Sequence, residues 1–219
     1  MLAISSAAGA SDHLYTLNGT LADSLGGPAL VDHGGSLGPT SYSFGPNQGL
    51  TMNVALGGVY TIDMVMTFDV HGGWQKIIDF SNLALDYGMY TVGNQWNFYN
   101  VAGFSNNALD GQPARLTITR DSSANVTVYL NGASMGGFVD SSGKANFGAN
   151  PANFFIDDFV TGQREAASGN VDYIATFDRA LTADEVRAGV SPVPEPSSGV
   201  MLGAGLGLLA LLRRRVARI

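Results

Sequence analysis

The side chains with the types and spacing to do chemistry fall into a few groups. Asp157-Asp158, Thr161-Gly162-Gln163 and Glu165 gather oxygen atoms around one loop. Hard cations take such oxygens, several carboxylates among them, so Asp157, Asp158 and Glu165 are the candidate ligands of a calcium ion. Asp79, Asn82 and Asp86 form a second group of the same kind. No D-x-D-x-D-G run ends in Glu, and turn-forming Asp and Asn in an acidic domain are the competing explanation for both groups. Trp74, Tyr87 and Tyr99 are the candidates for stacking on sugar rings, against the commoner role of aromatics as core. In Gln95–Asn100, Trp96 and Phe98 share one face and Asn97 and Tyr99 the other.

Other chemistry finds less support. Gly132-Ala-Ser134-Met-Gly136 spells G-x-S-x-G, but a nucleophile elbow needs a helix after the serine and a later histidine. Here a strand pattern follows, and His71 is the last histidine. A glycosidase needs two carboxylates about 5–10 Å apart. The glutamates are Glu165, Glu185 and Glu195, and no Glu-x-Asp-x-Glu strand is present. His13, His33 and His71 lack metal-ligand spacing. The expectation is a protein that is not an enzyme and needs no cofactor beyond the candidate calcium.

These residues must be positioned by short strands. Tyr60–Phe68 alternates, with Tyr60, Ile62, Met64, Met66 and Phe68 on one face. Gly93-Asn94 and Asn131-Gly132 each separate two strand-like runs and predict two-residue hairpins. Further strands are expected at 14–17, 30–31, 42–44, 50–54, 74–80, 114–120, 154–159 and 171–177. Thr182-Ala-Asp-Glu185 is a capping box and marks one short helix. The chain has 29 glycines and 13% charged residues, which suits many strands joined by tight turns. It has no cysteine, so packing rather than disulfides must hold the body, and thiolate chemistry is excluded.

Charge divides the chain. Four of its 11 basic residues lie in the last seven positions, leaving seven basic and 17 acidic residues in the first 193, a net of −10. An acidic body repels nucleic acid and anionic lipid and leaves cations and neutral glycans as partners. The tail reads Pro-Val-Pro-Glu-Pro-Ser-Ser over 192–198, an uncharged run over 199–212, then Arg213, Arg214 and Arg215. Counted with the two serines, the run would make a helix of about 24 Å, short of a hydrocarbon core of about 30 Å. Flanking arginines keep the carboxyl end cytoplasmic. At the other end, residues 1–11 carry a small-residue cleavage pattern without a basic region, and are expected to be the remnant of a signal peptide whose true start lies upstream.

Val193, Pro194, Glu195 and Pro196, followed by the apolar stretch and Arg213–Arg215, resemble the PEP-CTERM sorting signal. That resemblance implies recognition by an exosortase-type membrane protease, cleavage near Pro194–Pro196 and transfer to the cell surface, in bacteria that make exopolysaccharide. Tyr15–Ser24, Val128–Gly132 and Val171–Val186, with its Arg179-Ala-Leu-Thr182 turn, resemble the laminin-G-like, concanavalin A-like domains. This implies an all-β fold, a two-sheet antiparallel jelly-roll sandwich with one short C-terminal helix, followed by a single hydrophobic sorting helix. The expected organisation is a jelly-roll domain over 12–190, a Pro/Ser linker over 191–198, a transmembrane sorting segment over 199–212 and a basic cytoplasmic end over 213–219. The expected function is an exported, non-catalytic surface or matrix module that binds an extracellular glycan or matrix protein. Self-association without a small-molecule site is the alternative, and a glycoside hydrolase the third reading.

Overall fold

The structure, a computed structural model, describes residues 12–189. The expected signal remnant, sorting segment and basic end lie outside the described residues. The strands run in chain order as β1 (His13–Tyr15), β2 (Val31–Asp32), β3 (Ser36–Leu37), β4 (Tyr42–Phe44), β5 (Leu50–Met52), β6 (Tyr60–Phe68), β7 (Trp74–Asp79) and β8 (Gly88–Val92). They continue as β9 (Gln95–Tyr99), β10 (Ala102–Asn107), β11 (Pro113–Arg120), β12 (Asn125–Leu130), β13 (Ala133–Val139), β14 (Ala152–Phe154) and β15 (Gly169–Phe177), and the helix α1 spans Ala183–Ala188.

Two antiparallel sheets form the sandwich. The first has the order β13-β12-β11-β6-β15-β4-β3, with β1 also paired to β15; the second has the order β10-β9-β8-β7-β14-β5-β2. β6 is the spine of the first sheet, because its alternation gives it one fully apolar face. Tyr60, Ile62, Met64, Met66 and Phe68 are at most 1% exposed and meet Ile78, Met89, Trp96, Phe98 and Phe154 of the second sheet in one core. Tyr60, Phe80, Phe98 and Phe147 tile one end of it, the Phe80 and Phe147 rings lying 4.4 Å apart.

The turns follow their sequences. Asn131 and Gly132 both have positive φ, 51° and 81°, which is the type I′ geometry that joins Leu130 to Ala133 directly. Ser134 therefore sits on an exposed strand with no helix behind it, and the G-x-S-x-G run is a hairpin. At α1, the Thr182 hydroxyl accepts from Glu185 N and the Glu185 carboxylate accepts from Thr182 N, the reciprocal capping box.

Three strand expectations need correction. The strand placed at 154–159 is β14, at Ala152–Phe154, and it ends there because Phe155 turns to φ 60°. β3 and β10 carry too little apolar alternation to announce themselves. β3 is two exposed residues, and β10 is Ala-Gly-Phe-Ser-Asn-Asn at the sheet edge with a bulge between Phe104 and Asn107.

The outer face of the first sheet is closed by α1. Leu14, Tyr129, Ala175, Phe177, Leu181 and Val186 form a second apolar cluster there. Buried Asp63 accepts from Arg115 Nε at 2.9 Å, Thr117 Oγ1 at 2.5 Å and Tyr173 Oη at 2.6 Å, while Arg115 Nη1 donates to the Val186 carbonyl. One carboxylate thus ties three strands together, and its arginine holds the helix down.

Candidate functional site

The outer face of the second sheet carries the chemistry that the first sheet has covered. β7 places Trp74 and Lys76 there, β8 places Tyr90 opposite Lys76, and β9 places Asn97 opposite Tyr90 and Tyr99 opposite Gly88. Trp74 meets Tyr99 edge to face at 5.1 Å and 77°, and meets Tyr90 at 5.6 Å and 89°. Trp74 and Tyr99 are half-buried, so part of each ring faces solvent, whereas Tyr90 is buried beneath them. Asn97 lies beside Gly103, whose missing side chain leaves the amide uncovered. Two of the three candidate stacking residues are therefore brought together. Tyr87 is engaged elsewhere, with the Lys144 ammonium 4.6 Å from its ring centre. Trp96 lies in the core, as its shared face with Phe98 implies.

Next to the aromatic group is a buried charge cluster. Residues Phe155–Glu165 leave the core after β14, return to β7 and are pinned at both ends. Asn47 accepts from Asp157 N at 2.9 Å and donates to the Gln163 carbonyl at 2.9 Å, and Lys76 N donates to the Glu165 carbonyl at 2.6 Å. The segment lays Asp157 and Asp158 over Lys76, and all three are 0% exposed. Lys76 Nζ contacts Asp158 Oδ2 directly, lies 3.5 Å from Asp79 Oδ2 and 3.7 Å from Asp157 Oδ1, and stands 5.0 Å from the Tyr90 ring centre. Asp157 Oδ2 accepts from Thr161 Oγ1 at 2.6 Å and Glu165 N at 2.8 Å, while its Oδ1 has no hydrogen-bond partner.

Of the calcium candidates Asp157, Asp158 and Glu165, the first two face the Lys76 ammonium. Glu165 meets Lys76 through its backbone carbonyl, and among the described residues no group of three or more acidic or histidine side chains is arranged for a metal. The second group is divided too. Asp79 faces Lys76 and caps the turn through Ser81 N and Leu83 N, while Asp86 accepts from Tyr90 Oη at 2.8 Å. Lys76 was the residue that spacing did not single out. Its signal was a lone basic residue inside the strand Trp-Gln-Lys-Ile-Ile-Asp.

The carboxyl groups differ in how they hold protons. Burial raises Asp79 above the usual carboxylate range, against the pull of Leu83 N and Lys76. Asp158 lies below its ordinary value although burial opposes this, because Lys76 hydrogen-bonds to it and attracts its charge. Glu165 is pushed up to about 7, first by burial and then by the charges of Asp157, Asp86 and Asp158. Burial also raises Tyr90 far above a free phenol, with Asp86 adding to it.

A second concavity lies at the edge formed by β3, β4 and β15, lined by Ser43, Gln48, Asp69 and Asn170. Its one ring, Phe44, is buried, so it offers hydrogen bonds without a stacking surface.

Two packed antiparallel sheets, one with a helix on its outer face and the other with a half-buried aromatic group, define a sandwich of the lectin-like class. The chain belongs to the concanavalin A-like lectin/glucanases superfamily, whose profile matches residues 40–187. The PEP-CTERM protein-sorting motif matches residues 192–216, so the protein is exported as a membrane-anchored precursor and processed by an exosortase. Among the described residues no helix is long and apolar enough to cross a membrane. No curated protein matches the chain in sequence.

Solved structures share the fold at low identity. A Trypanosoma rangeli sialidase bound to 2,3-difluoro-KDN is 14% identical with a TM-score of 0.66, over 80% of this chain and 31% of that one. The chain thus spans about a third of the sialidase. Domain 4 of AbnA, a GH43 extracellular arabinanase from Geobacillus stearothermophilus solved with arabinotriose, is 14% identical with a TM-score of 0.59, over 81% of this chain and 97% of that one. The receptor binding domain of botulinum neurotoxin type G is 15% identical with a TM-score of 0.55, over 82% of this chain and 50% of that one.

Proposed function

We propose that this is a non-catalytic glycan-binding module of the cell surface or extracellular matrix, with the carboxyl end of its precursor in the cytoplasm. The observation that carries the reading is the half-buried Trp74–Tyr99 pair on the outer face of the second sheet, with the Asn97 amide on the same face. Rings fixed against each other present a rigid apolar platform, and a nearby amide can bond sugar hydroxyls. The buried carboxylates around Lys76 are turned inward and matched to a cation, which favours binding over acid–base hydrolysis. The acidic body favours a neutral polysaccharide over an anionic one. The domain solved with arabinotriose shows that a sandwich of nearly the same extent accommodates an oligosaccharide.

Affinity electrophoresis of the full chain through gels containing neutral polysaccharides tests this. Retardation that is lost in Trp74→Ala while the melting temperature is kept is the expected result. Unretarded migration in every gel, with assembly that grows with concentration, would replace this reading by that of a self-associating matrix protein.

A further inference from the structure

We propose that Lys76 and Asp158 become joined by an intramolecular isopeptide bond between Nζ and Cγ, formed by the folded chain on itself. The two residues are 82 positions apart, both 0% exposed, with Nζ against Oδ2. The other groups such a reaction needs stand around them. Asp158 Oδ1 accepts from Val160 N at 2.8 Å and from Thr161 N at 3.1 Å, two backbone donors placed where an oxyanion would develop. Asp79 Oδ2 is 3.5 Å from the same Nζ and can accept a proton from it. The Tyr90 hydroxyl is 3.3 Å from Oδ2, the oxygen that would leave.

The reaction balances within the site. An ammonium is no nucleophile, so one proton first passes from Nζ to Oδ2, converting the ion pair into an amine and a carboxylic acid. Burial favours that exchange, because it removes two charges from an enclosed site, and works against the pull of Lys76 that holds Asp158 ionised. The amine lone pair then forms the Nζ–Cγ bond, and the carbonyl electron pair moves onto Oδ1 beneath the Val160 and Thr161 N–H groups. Asp79 takes a second proton from nitrogen and delivers it to Oδ2, while the Tyr90 hydroxyl, whose proton goes to Asp86, stands 3.3 Å from that oxygen. The Cγ–Oδ2 bond breaks, Oδ2 leaves as water carrying both protons, and the amide keeps the last hydrogen. An ammonium and a carboxylate become an amide and one water, with no change of oxidation state and no co-reactant. Holding the two groups in contact replaces a bimolecular encounter, which is where the rate advantage of such a step lies. The product would staple β7 to the segment after β14, a covalent tie in a chain without cysteine.

The test is peptide mapping of the purified full chain after denaturation. The expected result is a branched peptide joining the Lys76 and Asp158 segments, lighter than their sum by one water. Lys76→Arg, which keeps the charge and lacks the primary amine, should give linear peptides at full mass, as should Asp158→Ala. Recovery of separate, full-mass peptides from folded wild-type protein would overturn the proposal, and the pair would be an ion pair only. A water loss that survives Lys76→Arg would overturn it too. The outcome does not depend on glycan binding, so the two readings fail separately.

Discussion

Trp74 and Tyr99 stand on strands that are not neighbours, β7 and β9, yet their rings meet at 5.1 Å, each also set edge to face against Tyr90 on the strand between them. Loss of either ring should weaken polysaccharide binding about tenfold, equivalent to about 1.4 kcal/mol, while Tyr87→Ala should change it little. Isothermal titration with the retarding polysaccharide checks this, and an equal loss in all three variants would move the site elsewhere.

Asp63 is a test of what holds the first sheet to its helix. Asp63→Ala removes the acceptor of Arg115, Thr117 and Tyr173 at once and leaves their donors buried. Breaking such a pair costs about 3–5 kcal/mol, to be read from urea unfolding. Arg115→Lys keeps the charge but cannot also reach the Val186 carbonyl through a second nitrogen, so it should fall between wild type and Asp63→Ala.

Stability should fall as pH rises through about 7, because Glu165 has its carboxyl raised from 4.5 to about 7 in the folded chain. A group that holds its proton more tightly when folded contributes fully below its unfolded pKa, and that contribution is lost as pH climbs through the folded value. Asp79, also raised, acts in the same direction. Melting temperatures measured from pH 4.5 to just above 7 should decline, and Glu165→Gln should flatten the decline. An unchanged slope in that variant would assign the effect to other groups.

The helix cap gives a smaller effect with the opposite dependence on acid. Glu185 is held down to about 2, first by its bond to Arg179 and then by Thr182 N. Its share of stability is present above 4.5 and lost as pH falls through about 2. Thr182→Ala should cost about 1 kcal/mol at neutral pH, measured by chemical unfolding.

Processing should depend on the tail alone. Replacing Glu195 and its flanking prolines, or Arg213–Arg215, should leave uncut precursor in the membrane fraction, while Trp74→Ala and Asp63→Asn should be processed normally. Immunoblots of fractionated cells read the difference.

Several elements were legible because their cause is local. The alternation of Tyr60–Phe68, the Asn131-Gly132 and Gly93-Asn94 turns and the Thr182/Glu185 cap each depend on residues within a few positions of one another. β3 and β10 were not, since an edge strand can be made of residues whose own pattern is polar; its pairing comes from the neighbour's hydrogen bonds.

Residue order alone determined that this is an exported β-sandwich with a sorting tail, because side-chain period, turn chemistry and the run of apolar then basic residues are properties of contiguous chain. It also marked Asp157 and Asp158 as an unusual pair of charges. Which cation faces them was decided only by the fold. Lys76 reaches them across 82 residues because β14 hydrogen-bonds beside β7 and the chain beyond it returns to that strand, where Lys76 N bonds the Glu165 carbonyl. A separation of that length leaves no trace in local spacing, and once the site is closed from water, burial makes that one pairing the condition for keeping the charges there.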